Sequence, residues 1–333
     1  MEYPNFYSMV RKQLMKYKIS VIIPFYDSYD SIDLLMSCLK NQTLLPNEVI
    51  IINSDRKKII FKNKYPFQVI EKKVKLSYPG KARNFGINLA KNDYIAFIDC
   101  KTFPKNNWLN SYLNELNVNN SDVILATRYT LSTNKFSEYL KYLTYGNNKI
   151  LSLAGTIGKK EKIKKNLFNS EIRAGEDLIW INNIKKNFKF TQSQNQLIVY
   201  NNLPEKFLKT IKKWFVYSQH NSIIDGFSEF QRLNYIYLII FIILINYFYI
   251  YNFEKSTINI YDFNIILFLI YFIFRSIIRP VFLTKMPIKF LFPINWILIG
   301  SIGLTLDIVK TPGIFLGFSR TLFNKIKYLI KIK

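Results

Sequence analysis

The apolar run YIAFID (94–99) closes on a carboxylate, Asp99, and two residues later stands Lys101. A divalent cation at such a strand end would ask for a second carboxylate oxygen donor close by. Lysine in that place brings positive charge of its own instead. Further along, Glu176 and Asp177 are neighbours in IRAGEDLIWINN (172–183). Adjacent carboxylates disfavour double ionisation, which raises one pKa towards the range useful to a general base. The same pair at a helix start would also act as a cap against the helix dipole. In PGKARN (79–84), Gly80, Lys81 and Arg83 open a helix after a loop, where free backbone amides favour an anion. Asp27 and the stretch Asn53-Ser54-Asp55 end two other apolar runs, and Asn53 offers both a donor and an acceptor.

These residues need a frame to hold them. ISVIIPFY (19–26), EVIIIN (48–53), FQVIEK (67–72), DYIAFID (93–99) and DVILATRY (122–129) read as strands. Between them SIDLLMSCLKNQ (31–42), GKARNFGINLAK (80–91) and NWLNSYLNEL (107–116) carry apolar residues at helical spacing. Strands alternating with helices predict a mostly parallel sheet covered on both faces. Ligands bind such sheets at the carboxyl ends of the strands, where Asp27, Asn53 and Asp99 fall. Pro24, near the end of the first run, also suits a strand terminator.

The chain has 333 residues, a formal charge of +25 and 49% hydrophobic residues. Lys, Asn, Ile, Phe and Tyr recur everywhere, so most of the charge reflects a general compositional bias. What remains attracts anions such as nucleotide diphosphates or lipid phosphates. Nucleic acid is not expected as a partner, because the lysines are scattered and no zinc-finger spacing, RNA-binding aromatic signature or basic helix is present. Two cysteines, Cys38 and Cys100, form no disulfide framework and fit a reducing compartment. The one histidine, His220, sits in an aromatic stretch and reads as structural. The first 18 residues lack an apolar signal-peptide core, so the N-terminus is expected in the cytoplasm.

Near residue 233 the composition changes. LNYIYLIIFIILINYFYIYNF (233–253), FNIILFLIYFIFRSIIRPVFL (263–283) and FLFPINWILIGSIGLTLDIV (290–309) are each long enough to cross about 30 Å of hydrocarbon as a helix. Flanking lysines and arginines place the start of the first run and the end of the second inside. The basic tail also prefers the inside, so two spans are expected, with the third segment spanning or re-entrant. The resulting division is an extension (1–18), a catalytic domain (19–203), an interfacial helical linker (204–232), a transmembrane region (233–310) and a basic tail (311–333).

Taken in order over residues 18–220, SVIIPFYDS, LLMSCLKNQTLLPNEVIIIN, GKARNFGINLAKNDYIAFID and GEDLIW resemble the family 2 glycosyltransferases of the GT-A fold. The resemblance implies an α/β, Rossmann-like GT-A domain followed by C-terminal transmembrane helices. It implies that Pro24, Phe25, Tyr26 and Asp27 floor a nucleotide pocket, with Asp27 where relatives usually carry Asn. Asn53 would meet the base edge, or simply make a turn. Arg83 would reach the nucleotide and Lys81 the phosphates. Asp99 and Lys101 occupy the usual Asp-x-Asp position, which in relatives holds Mg²⁺ or Mn²⁺ against the diphosphate. Here Lys101 would supply part of that charge, with Asp99 on the ribose or on a weakly held metal. Alternatively Lys101 faces solvent and the metal rests on Asp99 and phosphate. Asp177 would be the general base, Glu176 its neighbour and Trp180 an acceptor-side platform or a packing residue.

The implied reaction moves a sugar, with inversion, from a nucleotide sugar to a membrane-bound acceptor such as a lipid-linked oligosaccharide for surface polysaccharide. The catalytic domain would face the cytoplasm on the inner membrane if the source is bacterial. Transfer to a polyprenyl phosphate is a close variant. A non-catalytic membrane binding or assembly module that retains the fold is the alternative from another class.

Overall fold

The computed structural model describes residues 17–61, 63–231, 239, 242–244, 246–247 and 260–332. The chain forms two units. One takes the chain up to Leu131 and Lys149–Asn202, the other Ser132–Asn148 and the chain from Leu203 onward.

The first unit is a sheet of β1 (Ile19–Phe25), β2 (Glu48–Asn53), β3 (Gln68–Lys73), β4 (Tyr94–Phe97), β5 (Thr102–Pro104), β6 (Val123–Thr130), β7 (Ile150–Lys159), β8 (Phe190–Gln192) and β9 (Ile198–Tyr200). Its order is β3-β2-β1-β4-β7-β6-β9-β5, with β8 alongside β6. The helices in chain order are α1 (Tyr29–Lys40), α2 (Pro79–Leu89), α3 (Trp108–Val118), α4 (Lys135–Thr144), α5 (Lys160–Lys164) and α6 (Glu176–Asn187), of which α4 belongs to the second unit.

Alternation along β1 shows why the sheet is covered twice, since successive side chains point to opposite faces. Ile19, Val21, Ile23 and Phe25 pack with Leu35 and Met36 of α1 and Trp108 and Tyr112 of α3. Ile22 faces the other way, in a cluster with Ala82 and Ile87 of α2 and Trp180, Ile181 and Ile184 of α6. All five strands read from the sequence exist, and the three helices lie within two residues of their expected starts. The sheet is nonetheless mixed: β1–β4 with β2 and β3 run parallel, while β7 is antiparallel to both β4 and β6, and β5 to β9.

This topology sets one functional edge. Because β4 and β6 both run against β7, they run parallel to each other, and β9 follows β6. The carboxyl ends of β1, β2, β4, β6 and β9 therefore share an edge, with Asn53 level with Phe25 in the register.

In the second unit, α4 buries Tyr139, Leu140, Tyr142 and Leu143 in a cluster with Trp214, Met286, Leu291, Ile299 and Leu306. A capping box starts α4: Asn134 Oδ1 accepts from the Ser137 amide at 2.8 Å. The unit also holds α7 (Phe207–Gln231), α8 (Ile260–Ile273), a π-helical continuation (Phe274–Leu283), a 3-10 turn (Ile288–Phe290) and α9 (Asn295–Ile332). Two stretches, Asn264–Leu283 and Asn295–Phe323, are helical and long and apolar enough to cross a membrane. They correspond to the second and third apolar runs of the sequence; the first, 233–253, lies largely outside the described residues. The segment read as a separate tail from residue 311 continues α9. Gly313 and Gly317 of α9 lie directly against Ser218 and Ser222 of α7, a small-xxx-small contact that lets two backbones approach closely.

Candidate active site

Asp99 follows β4, and Arg83 sits in the first turns of α2 behind it. Gly86, one turn on, lies so tight on Ile22 that a Cβ there would overlap it, which draws α2 onto the sheet. That approach carries Arg83 inward to 4% exposure. Its Nη2 donates to Asp99 Oδ1 at 2.8 Å and its Nη1 to Glu176 Oε1, also at 2.8 Å. The guanidinium lies 5.4 Å from the centre of the Phe168 ring. One arginine thus ties the end of β4 to the start of α6.

The start of α6 is set by Gly175, whose φ of 84° is left-handed and suits glycine. Glu176 and Asp177 follow in the first helical turn, and Asp177 Oδ1 accepts the amide of Leu178 at 2.9 Å. Burial pushes Glu176 up to about 7 against the pull of Arg83, and the adjacent Asp177 adds to the rise. Burial also raises Asp177, with Arg83 opposing and Asp99 contributing. Arg83 stays charged despite its burial because Asp99, Glu176 and Asp177 surround it. Three carboxylates on one guanidinium leave excess negative charge, so a proton is retained near neutrality. This is the condition in which a carboxylate becomes a serviceable base.

At the end of β1, Tyr26 and Asp27 are exposed, and Pro24 is half-buried. Asp27 has a φ of 45°, a left-handed conformation that Asn and Asp tolerate best among residues with a side chain. Its amide donates to Asp55 Oδ2 at 3.3 Å, joining the β1 and β2 loops. Asn53 corrects the expectation of base recognition. Its Oδ1 accepts from the Asp55 amide at 2.8 Å, and its Nδ2 donates to Lys57 O at 2.9 Å and Glu71 Oε1 at 2.7 Å. Fully buried, Asn53 spends both ends of its amide on shaping its own loop. Arg83 needs a similar correction: its fork engages protein carboxylates, so it positions Asp99 and Glu176 rather than reaching out to a ligand.

Lys81 is exposed on the first turn of α2, and Lys101 is half-buried beside Asp99. The Lys101 carbonyl accepts from the Asn201 amide at 3.0 Å, which fixes this corner to the end of β9. Cys100 is buried with its thiol towards the Pro24 carbonyl, a packing role. Among the described residues no three His, Cys, Asp or Glu side chains converge as metal ligands. Asp99 keeps 43% of its side chain exposed and gives Oδ1 to Arg83, so Mg²⁺ or Mn²⁺ would draw on its carboxylate and on ligand phosphates.

Trp180 is not available to an acceptor. It is 1% exposed, stacked on Phe168 at 5.1 Å and edge-on to Phe97 at 5.6 Å, with Nε1 donating to Asn166 O. Trp180→Ala is expected to cost about 3–5 kcal/mol of stability through the cavity it leaves. Denaturant unfolding of the variant checks this; full stability with a raised acceptor KM would return the ring to the acceptor side.

Arg128 and Tyr200 were not singled out from the sequence. The Arg128 guanidinium lies 3.8 Å over the Tyr200 ring. Burial pushes Tyr200 up to about 12, with Arg128 opposing and both Asp99 and Asp177 adding to the rise. These two residues extend the polar edge along β6 and β9. The two residues are far apart in the sequence, on β6 and β9, so no local pattern pairs them.

The family model for glycosyl transferase family 2 matches residues 20–175. That part of the chain is similar to family 2 glycosyltransferases. The match runs from β1 to Gly175, so Asp27, Arg83, Asp99 and Lys101 lie within it and Glu176 and Asp177 immediately after it. The chondroitin synthase of Pasteurella multocida (strain Pm70) is 30% identical over 126 residues, which is 36% of this chain and 13% of that protein. The cholesterol galactosyltransferase of Borreliella burgdorferi is 28% identical over 239 residues, 66% of this chain and 61% of that one. In each case the matched region spans less than two thirds of the relative's length. The structure of S. aureus TarS residues 1–349 with UDP-GlcNAc aligns over 93% of this chain and 92% of that one, at 13% identity and a TM-score of 0.44.

Proposed function

We propose that the protein transfers a sugar, with inversion, from a nucleotide sugar to the hydroxyl of a membrane-associated acceptor. One observation carries this reading: Arg83 bridges Asp99 and Glu176 at 2.8 Å each, which gathers the diphosphate-side and base-side carboxylates at one sheet edge. The nucleotide lies across the strand ends near Tyr26 and Asp27, with its diphosphate beside Asp99, Lys101 and Lys81. Asp177 takes the proton of the acceptor hydroxyl as that oxygen attacks the anomeric carbon. The bond to the diphosphate breaks on the opposite face, and the leaving group departs with its electron pair. Two helices long and apolar enough for a bilayer support an acceptor held at the membrane surface. Nucleotide-sugar turnover by the purified full chain, with lipid-linked acceptors supplied in micelles, tests the reading; neither hydrolysis nor transfer with any donor would sink it.

Lys101 supplies part of the positive charge that the leaving diphosphate needs. Turnover of the wild type is therefore expected to persist at a measurable level in chelator. Lys101→Asp is expected to depend on Mn²⁺ at least about tenfold more steeply, as a second carboxylate creates a cation site. Equal metal dependence in the two proteins, by Mn²⁺ titration of initial rates, contradicts the role of the lysine.

A further inference from the structure

Arg275 and Arg279 lie four residues apart in the π-helical stretch Phe274–Leu283, inside the apolar segment Asn264–Leu283. Arg275 is 1% exposed. Its Nε donates to Asp307 Oδ2 at 2.8 Å, and its Nη2 donates to Asp307 Oδ1 at 3.0 Å and to the Gly303 carbonyl at 3.4 Å. Asp307, fully buried on α9, also accepts from the Tyr271 hydroxyl at 3.0 Å and has Lys310 Nζ at 3.8 Å. The carboxylate is thus fully used. Arg275 forms an ion pair with this anion, whereas Arg279 has no ion pair among the described residues. The Nη1 atoms of both arginines are buried and meet no acceptor among the described residues.

Uncompensated guanidinium charge at the apolar core of a bilayer, or near its border, is among the costlier arrangements a protein can hold. It persists where a ligand supplies the missing anion. The local backbone agrees: a π-helical run with Pro280 inside is a rare geometry that collects at functional positions. Gly303 makes room for Arg275, since a Cβ there would sit 3.0 Å from Arg275 Cγ. The depth also fits. The end of this stretch meets polar chain: Thr284 Oγ1 donates to the Tyr142 carbonyl, and Asn147 and Asn148 donate to the carbonyls of Lys285 and Leu283. Lys285 and Lys289 follow directly. Hydrocarbon gives way to headgroups at such a level.

We propose that Arg275 and Arg279 form a binding site for the phosphate headgroup of a membrane lipid. The Nη1 of Arg275, beyond the edge held by Asp307, and the guanidinium of Arg279 suit a tetrahedral anion with several acceptor oxygens better than a single carboxylate. Asp307 holds one fork in place, and half-buried Arg279 closes on the ligand. The proposal rests on the reading of Asn264–Leu283 as membrane-embedded, and its test separates the two.

The full chain is purified in an uncharged detergent and its thermal unfolding followed by tryptophan fluorescence. Phosphatidic acid added to the micelles is expected to raise Tm by about 3–6 °C, whereas phosphatidylcholine is not. Arg279→Gln should lose the shift and Arg279→Lys should keep part of it, which covers the case in which the glutamine variant folds poorly. An equal shift in wild type and both variants overturns the site. The same shift with inorganic phosphate alone overturns the lipid as its source. Alkaline carbonate extraction of expressing cells reports on the membrane reading separately: a chain retained in the pellet but indifferent to phosphatidic acid loses only the phosphate site, and a released chain loses both.

Discussion

Asp177→Asn is expected to lower turnover by about 10²–10⁴-fold while nucleotide-sugar affinity stays within twofold. The substitution keeps shape and cap, because an asparagine Oδ1 can still accept the Leu178 amide that Asp177 holds at 2.9 Å. What it removes is the proton acceptor. Loss of one negative charge at the helix start costs only about 0.3–1 kcal/mol, so a folded, donor-binding, inert enzyme is the signature. The pH dependence has a definite sign. Burial raises Asp177, so the base holds its proton to higher pH than a free aspartate would. The wild-type rate should climb as pH rises and then level. Initial rates from pH 5 to 9, with donor affinity measured in parallel, check both statements. An acceptor that is already ionised, such as a polyprenyl phosphate, needs no base; Asp177→Asn would then retain most of its turnover.

The second large effect concerns stability. Arg83→Leu should destabilise the first unit by about 3–5 kcal/mol, since breaking a buried pair leaves a carboxylate without its counter-charge. Glu176 is the partner left stranded: its side chain is 6% accessible, against 43% for Asp99, which water can still reach. Adding Glu176→Leu should recover much of the loss by replacing an orphaned charge with apolar packing. The direction with pH follows from Glu176. Its folded pKa, about 7, stands above the 4.5 of a free glutamate, so the protonated carboxyl favours the folded state. That contribution is full below about 4.5 and is lost as pH rises through 7. Without Arg83 the folded value climbs further. The Arg83→Leu penalty should therefore be mild near pH 4.5 and larger at pH 8, because the two proteins diverge only above about 7. Thermal unfolding of the variant and wild type at the two pH values decides it; an equal difference at both would mean that Glu176 does not sense the arginine.

Much of this was readable in the chain because it rests on short-range regularities. Apolar runs bounded by turn residues became β1, β2, β3, β4 and β6. Asp27 sits where backbone sterics admit Asn and Asp with φ above zero, so the usual Asn and the Asp found here answer to one constraint. Of the strands not read, β7 is long but carries two glycines, Gly155 and Gly158, while β5, β8 and β9 are three residues each, too short for periodicity; β8 and β9 form because β6 offers an edge, and β5 because β9 does. Asn53 and Trp180 were misjudged for another reason. A side chain's chemistry says what it can do, while burial decides what it does. Trp180 is one turn after Glu176 and one before Ile184, and all three lie on the buried face of α6. The same helical arithmetic applies to Arg83, which shares its stripe with Ala82, Gly86 and Ile87. The spacing that made these residues look like ligand contacts also placed them inside.

Between β6 and β7 the polypeptide leaves the first unit for seventeen residues, Ser132–Asn148, and α4 lies in that excursion. A soluble fragment ending at Asn202 would therefore carry a helix made for another setting. Tyr139, Leu140, Tyr142 and Leu143 would lose Met286, Leu291, Ile299 and Leu306, the side chains that cover them. Trimming the molecule to its sheet thus produces an adhesive stripe, and self-association of such a fragment would say nothing about the oligomeric habit of the whole chain.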